Sequence, residues 1–188
     1  MKALALAFVV AATGSACAEP RVHDGVYVRL GMGGGYAIGT LVAPSGHDAS
    51  RGPGVATQLA VGWTPRPGVV VGLGTFPSIT TSPHYDGTNA GGQHVSATGP
   101  FVDYFPDPHG GLHVTGGVLF AVGYLDGGER TSHIGFGPAV TAGVGYDEFV
   151  ADHWSVGAVA RVTAFDLFHV DDSLRIVAPA VLVTVTHQ

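Results

Sequence analysis

The chain has 188 residues, with fourteen acidic side chains against eight basic ones and a formal charge of −6. So few cations make a poor electrostatic footprint for nucleic acid, and thirty glycines exclude long helices from most of the chain. Mean hydropathy is +0.32, yet no uncharged apolar run after residue 18 reaches the roughly 20 residues of a membrane-spanning helix.

The first element is "MKALALAFVVAATGSACAEP". Lys2 supplies a positive start, 3–12 an apolar stretch, and Ala16-Cys17-Ala18 a small-residue cleavage site. This reads as a secretory signal peptide over 1–18, leaving 19–188 as one mature domain. A competing reading puts a lipidated Cys17 at the mature N-terminus, although Gly14 stands where such signals usually place Leu. Lys2 is the only lysine, so cleavage takes the charge to −7, from fourteen acids and seven arginines. Cys17 is the only cysteine, so no disulfide is expected.

Eight alternating segments follow, at 26–39, 55–64, 69–76, 94–104, 112–124, 134–146, 154–165 and 175–186. Most have the length that a tilted strand needs to cross a bilayer, about 9–11 residues. Compact turns are expected at 65–68, 105–111 and 147–153. The other connections, 40–54, 77–93, 125–133 and 166–174, are expected to be loops. Short turns at one end and longer loops at the other suit an outer-membrane barrel, with turns in the periplasm and loops outside.

The stretch 134–146, "IGFGPAVTAGVGY", shows the logic of the faces. One parity carries Ile134, Phe136, Pro138, Val140, Ala142, Val144 and Tyr146; the other carries only Gly, Ala and Thr. Period two means a strand. A soluble sheet would stud its wet face with charges, and here there is none. Bulky residues facing lipid and small ones crowding a closed interior fit instead. The same parity gives outward Leu30, Met32, Val61, Leu73, Val118, Phe120 and Val162. It gives an inward polar set of Arg29, Gln58, Asp103, His113 and Arg161, in which arginine–carboxylate pairing is expected. Trp63, Tyr104, Tyr146 and Trp154, with Phe105 beside them, read as an interfacial aromatic girdle at the turn end.

On these features, 26–186 resembles the small eight-stranded outer-membrane β-barrel superfamily, the OmpX, OmpW and OmpA-barrel group. The strand–turn–strand segment "AGVGYDEFVADHWSVGAVARV" (142–162) is similar to those common in such barrels. The resemblance implies an all-β, eight-stranded antiparallel up-and-down transmembrane barrel in the outer membrane, a monomer partnered by lipid and by the barrel-assembly machinery. One departure stands out: such barrels often end in an aromatic residue, whereas this chain ends in Gln188.

Chemistry is sparse. His94-Val95-Ser96 sits at the outer end of the fourth segment, and one barrel family uses a His-x-Ser pair with a nearby acid to deacylate lipid A. Residues i and i+2 share a face, so His94 could activate Ser96. No acid follows on that parity, and Asp103 lies on the other. His47, Asp48, His84, Asp86, His94, His133, His169, Asp171 and Asp172 gather at the loop end, but without the spacing of a dedicated metal site. The glycines of "GMGGGYAIG" (31–39) alternate within a strand and no Lys follows, unlike a phosphate loop. No catalytic, metal or cofactor residue is assigned and no cofactor is expected. The expected function is a non-enzymatic envelope barrel: structural, surface-displaying, or a conduit for small apolar molecules. The alternative is a lipid A deacylase-like hydrolase using His94 and Ser96.

Overall fold

The computed structural model describes the backbone of residues 21–188 except 44–45, 82–83, 86–87, 90–91, 128–129 and 170–171. It describes side chains over the same residues except 43, 46–48, 81, 84–85, 88–89, 125–127, 130–134, 169 and 172. The expected signal peptide, with Cys17, lies outside the described residues.

The strands are β1 (Val26–Ala43), β2 (Gly46–Arg66), β3 (Val69–Thr75), β4 (Ser78–Thr81), β5 (His84–Tyr85), β6 (Thr88–Asn89), β7 (Gly92–Tyr104), β8 (Leu112–Gly127), β9 (Arg130–Ala151), β10 (Trp154–His169) and β11 (Asp172–His187). All pairings are antiparallel, and β1 also pairs with β11, from Val28↔His187 to Val42↔Ser173. That seam closes the sheet, which leaves no unpaired edge for hydrocarbon to meet. β3 and β4 both pair with β2 and β7, so together they make one wall strand and the ring has eight.

β3 fills the expected segment 69–76 up to Thr75, and Phe76 and Pro77 then separate it from β4, which lies in the expected loop 77–93. Proline cannot donate to a ladder. The gap is still bridged, because Phe76 N donates to Ala97 O (2.8 Å) and Thr57 N donates to Pro77 O (3.0 Å).

The expected loops are largely paired strand. Over 40–54 the β1–β2 ladder runs without a register shift to Ala43↔Gly46. The β8–β9 ladder reaches Gly127↔Arg130, and β10–β11 reaches His169↔Asp172. Within the expected loop 77–93, β4 continues the wall and β5–β6 form a small hairpin. β9 likewise continues through 147–151, so the expected turn there shrinks to two residues and a bulge at Trp154/Ser155. Hairpin ladders propagate by backbone hydrogen bonds alone, so these extensions need no apolar face to announce them.

The faces follow the parity. Phe136, Val140, Val144 and Tyr146 are exposed on the outer wall, as are Leu30, Met32, Val61, Leu73, Val118, Phe120 and Val162. The interior is filled rather than merely small. Phe76, Phe101, Leu119, Phe165, Leu167, Leu174 and Ile176 form an apolar column within it. Inward glycines give these side chains room: a Cβ on Gly123 would collide with Leu167, and one on Gly72 with Phe101. Trp63, Tyr104, Tyr146 and Trp154 stand outward in a ring at the turn end. Phe105 does not join them; it is buried at 1% exposure because it continues the inward parity of Phe101 and Asp103. A second outward aromatic set, Tyr36, Tyr124, Phe136 and Phe168, lies toward the hairpin end.

Candidate functional site

The most organised chemistry lies inside the barrel, near the turn end. Strand parity turns Tyr27 and Arg29 of β1, Asp103 of β7, His113 of β8, Asp147 of β9 and Thr184 and Thr186 of β11 inward. An eight-stranded barrel is just wide enough for side chains from opposite walls to meet. Arg29 is the hub. Its Nη1 donates to Asp103 Oδ2 (2.7 Å), its Nη2 to Asp147 Oδ2 and its Nε to Thr186 Oγ1 (2.9 Å). The Tyr27 hydroxyl donates to Asp103 Oδ2 (2.9 Å), and His113 Nδ1 lies 2.7 Å from Asp103 Oδ1. Thr184 Oγ1 donates to Asp147 Oδ1 (3.2 Å).

The side chains of Arg29, Asp103, His113 and Asp147 are wholly enclosed. Charges out of water are costly unless paired and fully hydrogen-bonded. Here the pairing is shared across five strands, so the cluster ties opposite walls together. Two glycines make its space. A Cβ on Gly145 would strike the His113 ring, and one on Gly157 would strike Asp147.

A second polar island sits one layer toward the hairpin end. Arg161 donates from Nη1 to Gln58 Oε1 and from Nη2 to Thr57 O, both at 3.3 Å, and its guanidinium lies 5.2 Å over the Phe76 ring. Among the described residues no carboxylate joins it, so the arginine–carboxylate pairing in the lumen is made by Arg29.

The leader closes the turn end. Arg21 N donates to Asp152 O, His23 N to Pro108 O, and Gly68 N to His23 O, each within 2.9 Å. These bonds lace the leader across all three turns. His23 itself is buried, stacked on Phe105 at 3.6 Å, with Nδ1 2.8 Å from Gln188 Oε1. Phe105 in turn stacks on His113 at 4.9 Å, so the leader, the turn aromatic and the ion cluster form one continuous stopper. Burial pushes the His23 imidazole down to about 4, with the Gln188 hydrogen bond pulling weakly the other way.

The inward set Arg29, Asp103 and His113 is thus brought together, and Gln58 joins Arg161. Sequence reasoning missed Tyr27, Asp147 and His23. The signal for the first two was available, since extending the inward parity by one step at each strand end reaches them. His23 lies outside any periodic segment.

His94 and Ser96 are both exposed on the outer wall. No hydrogen bond joins them among the described residues; the Ser96 hydroxyl lies 3.4 Å from Thr75 Oγ1, and the His94 ring packs 6.1 Å from Tyr124. Asp103, the only acid of β7, is on the inner face. Of the histidines and acids noted at the loop end, only His94 has a described side chain.

No protein-family model matches the sequence, and no curated protein matches it. Solved structures do match in fold. The Neisserial surface protein A structure is 14% identical, with a TM-score of 0.50 over 86% of this chain and 96% of that one. The outer membrane protein OprG from Pseudomonas aeruginosa is 9% identical, with a TM-score of 0.55 over 90% and 98%. The outer membrane protein AlkL, solved in lipid bilayers, is 14% identical, with a TM-score of 0.51 over 88% and 90%. Closed ring, apolar outer wall, aromatic girdles and these likenesses converge: the chain has the fold of the small eight-stranded outer-membrane β-barrels.

Proposed function

We propose that the chain is a non-enzymatic, non-conducting outer-membrane barrel whose working surface is its set of extended hairpins, which stand outside the cell. One observation carries this reading. Among the described residues the interior holds an apolar column toward the hairpins and the Arg29 cluster, Phe105 and His23 toward the turns. Side chains packed in this way oppose passage of a solute, which leaves the ladders that continue past the wall to meet the surroundings. The lipid bilayer is its partner along the wall, the assembly machinery is its partner during insertion, and the protein works as a monomer.

The hydrolase reading has less support. His94 and Ser96 share the outer face, but no described carboxylate orients the imidazole, and a hydrolytic pair needs that third group. The test is planar-bilayer conductance of the refolded protein. Silence is expected, while steady unitary currents would overturn the plugged reading. In parallel, H94A/S96A should leave lipid A acylation in cells unchanged. Loss of a deacylation activity in that variant would restore the enzyme.

A further inference from the structure

The arginines are distributed in a telling way. After Lys2 the chain has no lysine, so its seven arginines are its only fixed cations. Arg29 and Arg161 are inside the barrel, and Arg21 and Arg66 are at the turn end. Arg130 has no described side chain. The remaining two, Arg51 of β2 and Arg175 of β11, are both exposed on the outer, lipid-facing parity.

They also stand at one level. Arg51 is twelve residues along β2 from the girdle residue Trp63. Arg175 is twelve residues along β11 from His187, which pairs with the girdle residue Trp154. With about 3.3 Å per residue and a tilt near 40°, that is about 30 Å of height, a few ångströms beyond the roughly 25 Å apolar band of such barrels. Both guanidinium groups therefore reach the headgroup layer on the hairpin side.

They are close enough to act together. Arg51 pairs with Ile38 of β1, and Thr40, two residues on, pairs with Arg175. Two strand spacings and two residues of offset put the Cα atoms about 12 Å apart. Two arginine side chains span that gap onto one phosphate or two neighbouring ones. The exposed Thr40 between them offers a hydroxyl. Asp166, opposite Arg175 in the β10–β11 ladder, holds its Nε at 3.5 Å. That contact orients the guanidinium along the wall while its side chain stays largely exposed. Guanidinium forks offer paired N–H donors that match the oxygens of a phosphate.

We propose that Arg51 and Arg175 form a binding site on the barrel's outer wall for the phosphate groups of an outer-leaflet glycolipid. The orientation of the barrel in the Proposed function is assumed, with the hairpins outside. A chain of overall negative charge has no general affinity for an anionic surface, so among the described residues these two arginines are the cations placed to retain such a lipid.

The experiment uses the full mature protein refolded with bisphosphorylated lipid A, with its dephosphorylated form, or with a zwitterionic phospholipid, and reads lipid retention by native mass spectrometry. Each interfacial arginine is worth about fivefold, so R51Q/R175Q should retain bisphosphorylated lipid A about thirtyfold more weakly than the native chain. R51K/R175K should keep most of it, R66Q all of it, and the dephosphorylated lipid should not tell the variants apart. Heat-modifiable gel mobility reports folding of each variant separately, so loss of the barrel itself is distinguished from loss of the site. Equal retention by native protein and R51Q/R175Q would overturn the proposal. Displacement of the lipid by equimolar inorganic pyrophosphate would also overturn it, by assigning the site to soluble phosphates.

Discussion

Removing the hub of the buried cluster gives the sharpest test of the interior. In Arg29→Met the side-chain volume is nearly kept, but Asp103 and Asp147 lose the one arginine they share while both stay wholly enclosed. Three hydrogen bonds go with it, to Asp103, Asp147 and Thr186. Breaking a buried ion pair by deleting one partner costs about 3–5 kcal/mol, mostly because the other charge is left unpaired. The loss should therefore fall largely away when the carboxylates are neutralised too, in R29M/D103N/D147N. That triple variant should recover to within about 2 kcal/mol of the native protein, since apolar or neutral replacements of buried ion groups are often tolerated. Urea unfolding in lipid vesicles, followed by fluorescence of the outward-facing Trp63 and Trp154, measures both. A loss in Arg29→Met below about 1 kcal/mol, the value of an exposed pair, would show that the cluster is wet and that the stopper does not exist. A triple variant less stable than the single one would refute the unpaired-charge argument.

Three further outcomes are expected. Neutral His23 is what the leader buries, so its contribution is full above pH 6.5 and is lost as pH falls from there toward about 4, amounting to on the order of 3 kcal/mol; protease protection of the leader should fade over that window, and a pH-independent leader in the native protein would remove His23 from the stopper. Val140→Arg, on the outer wall near mid-bilayer, should lower refolding stability by about 2–4 kcal/mol, whereas Val150→Arg at the turn end should cost about 0–1 kcal/mol; equal losses would mean the bilayer sits elsewhere. A cysteine at the exposed position Ala49 should react with an impermeant thiol reagent on intact cells, and one at the exposed Asp107 only after the outer membrane is opened; the reverse pattern would invert the orientation.

Most of the wall was legible because lipid imposes a strict rule. Every outward residue from Phe136 to Tyr146 has to be uncharged, and period-two alternation then separates the faces. The inner cluster was half legible. Arg29, Asp103 and His113 lie within the periodic segments, whereas Asp147 follows the last apolar residue of its segment and looks like the start of a turn. Phe105 was misplaced for the same reason: a turn boundary was drawn at Tyr104, although the inward parity runs one residue further. The hairpin extensions were not legible at all. In water, ladders such as Ala43↔Gly46 are held by backbone bonds, and their side chains carry no two-faced signature. Nor could the leader's docking be read, since His23 is fixed by partners at 105 and 188, far away in sequence.

The interruption at Phe76 and Pro77 has a consequence for how the barrel breathes. Between β8 and β9 the wall is joined by a long unbroken ladder, Leu112↔Tyr146 through Leu125↔His133. At the interruption, two bridging bonds stand where a continuous ladder would run. Local opening there breaks fewer bonds than along the β8–β9 ladder. Backbone amides of Thr57, Phe76 and their neighbours on β4 should exchange with deuterated water faster than amides at the same depth on β8 and β9. The β8–β9 wall would then be the stiffer and the β3–β4 wall the more compliant, the difference being set where Phe76 and Pro77 stand.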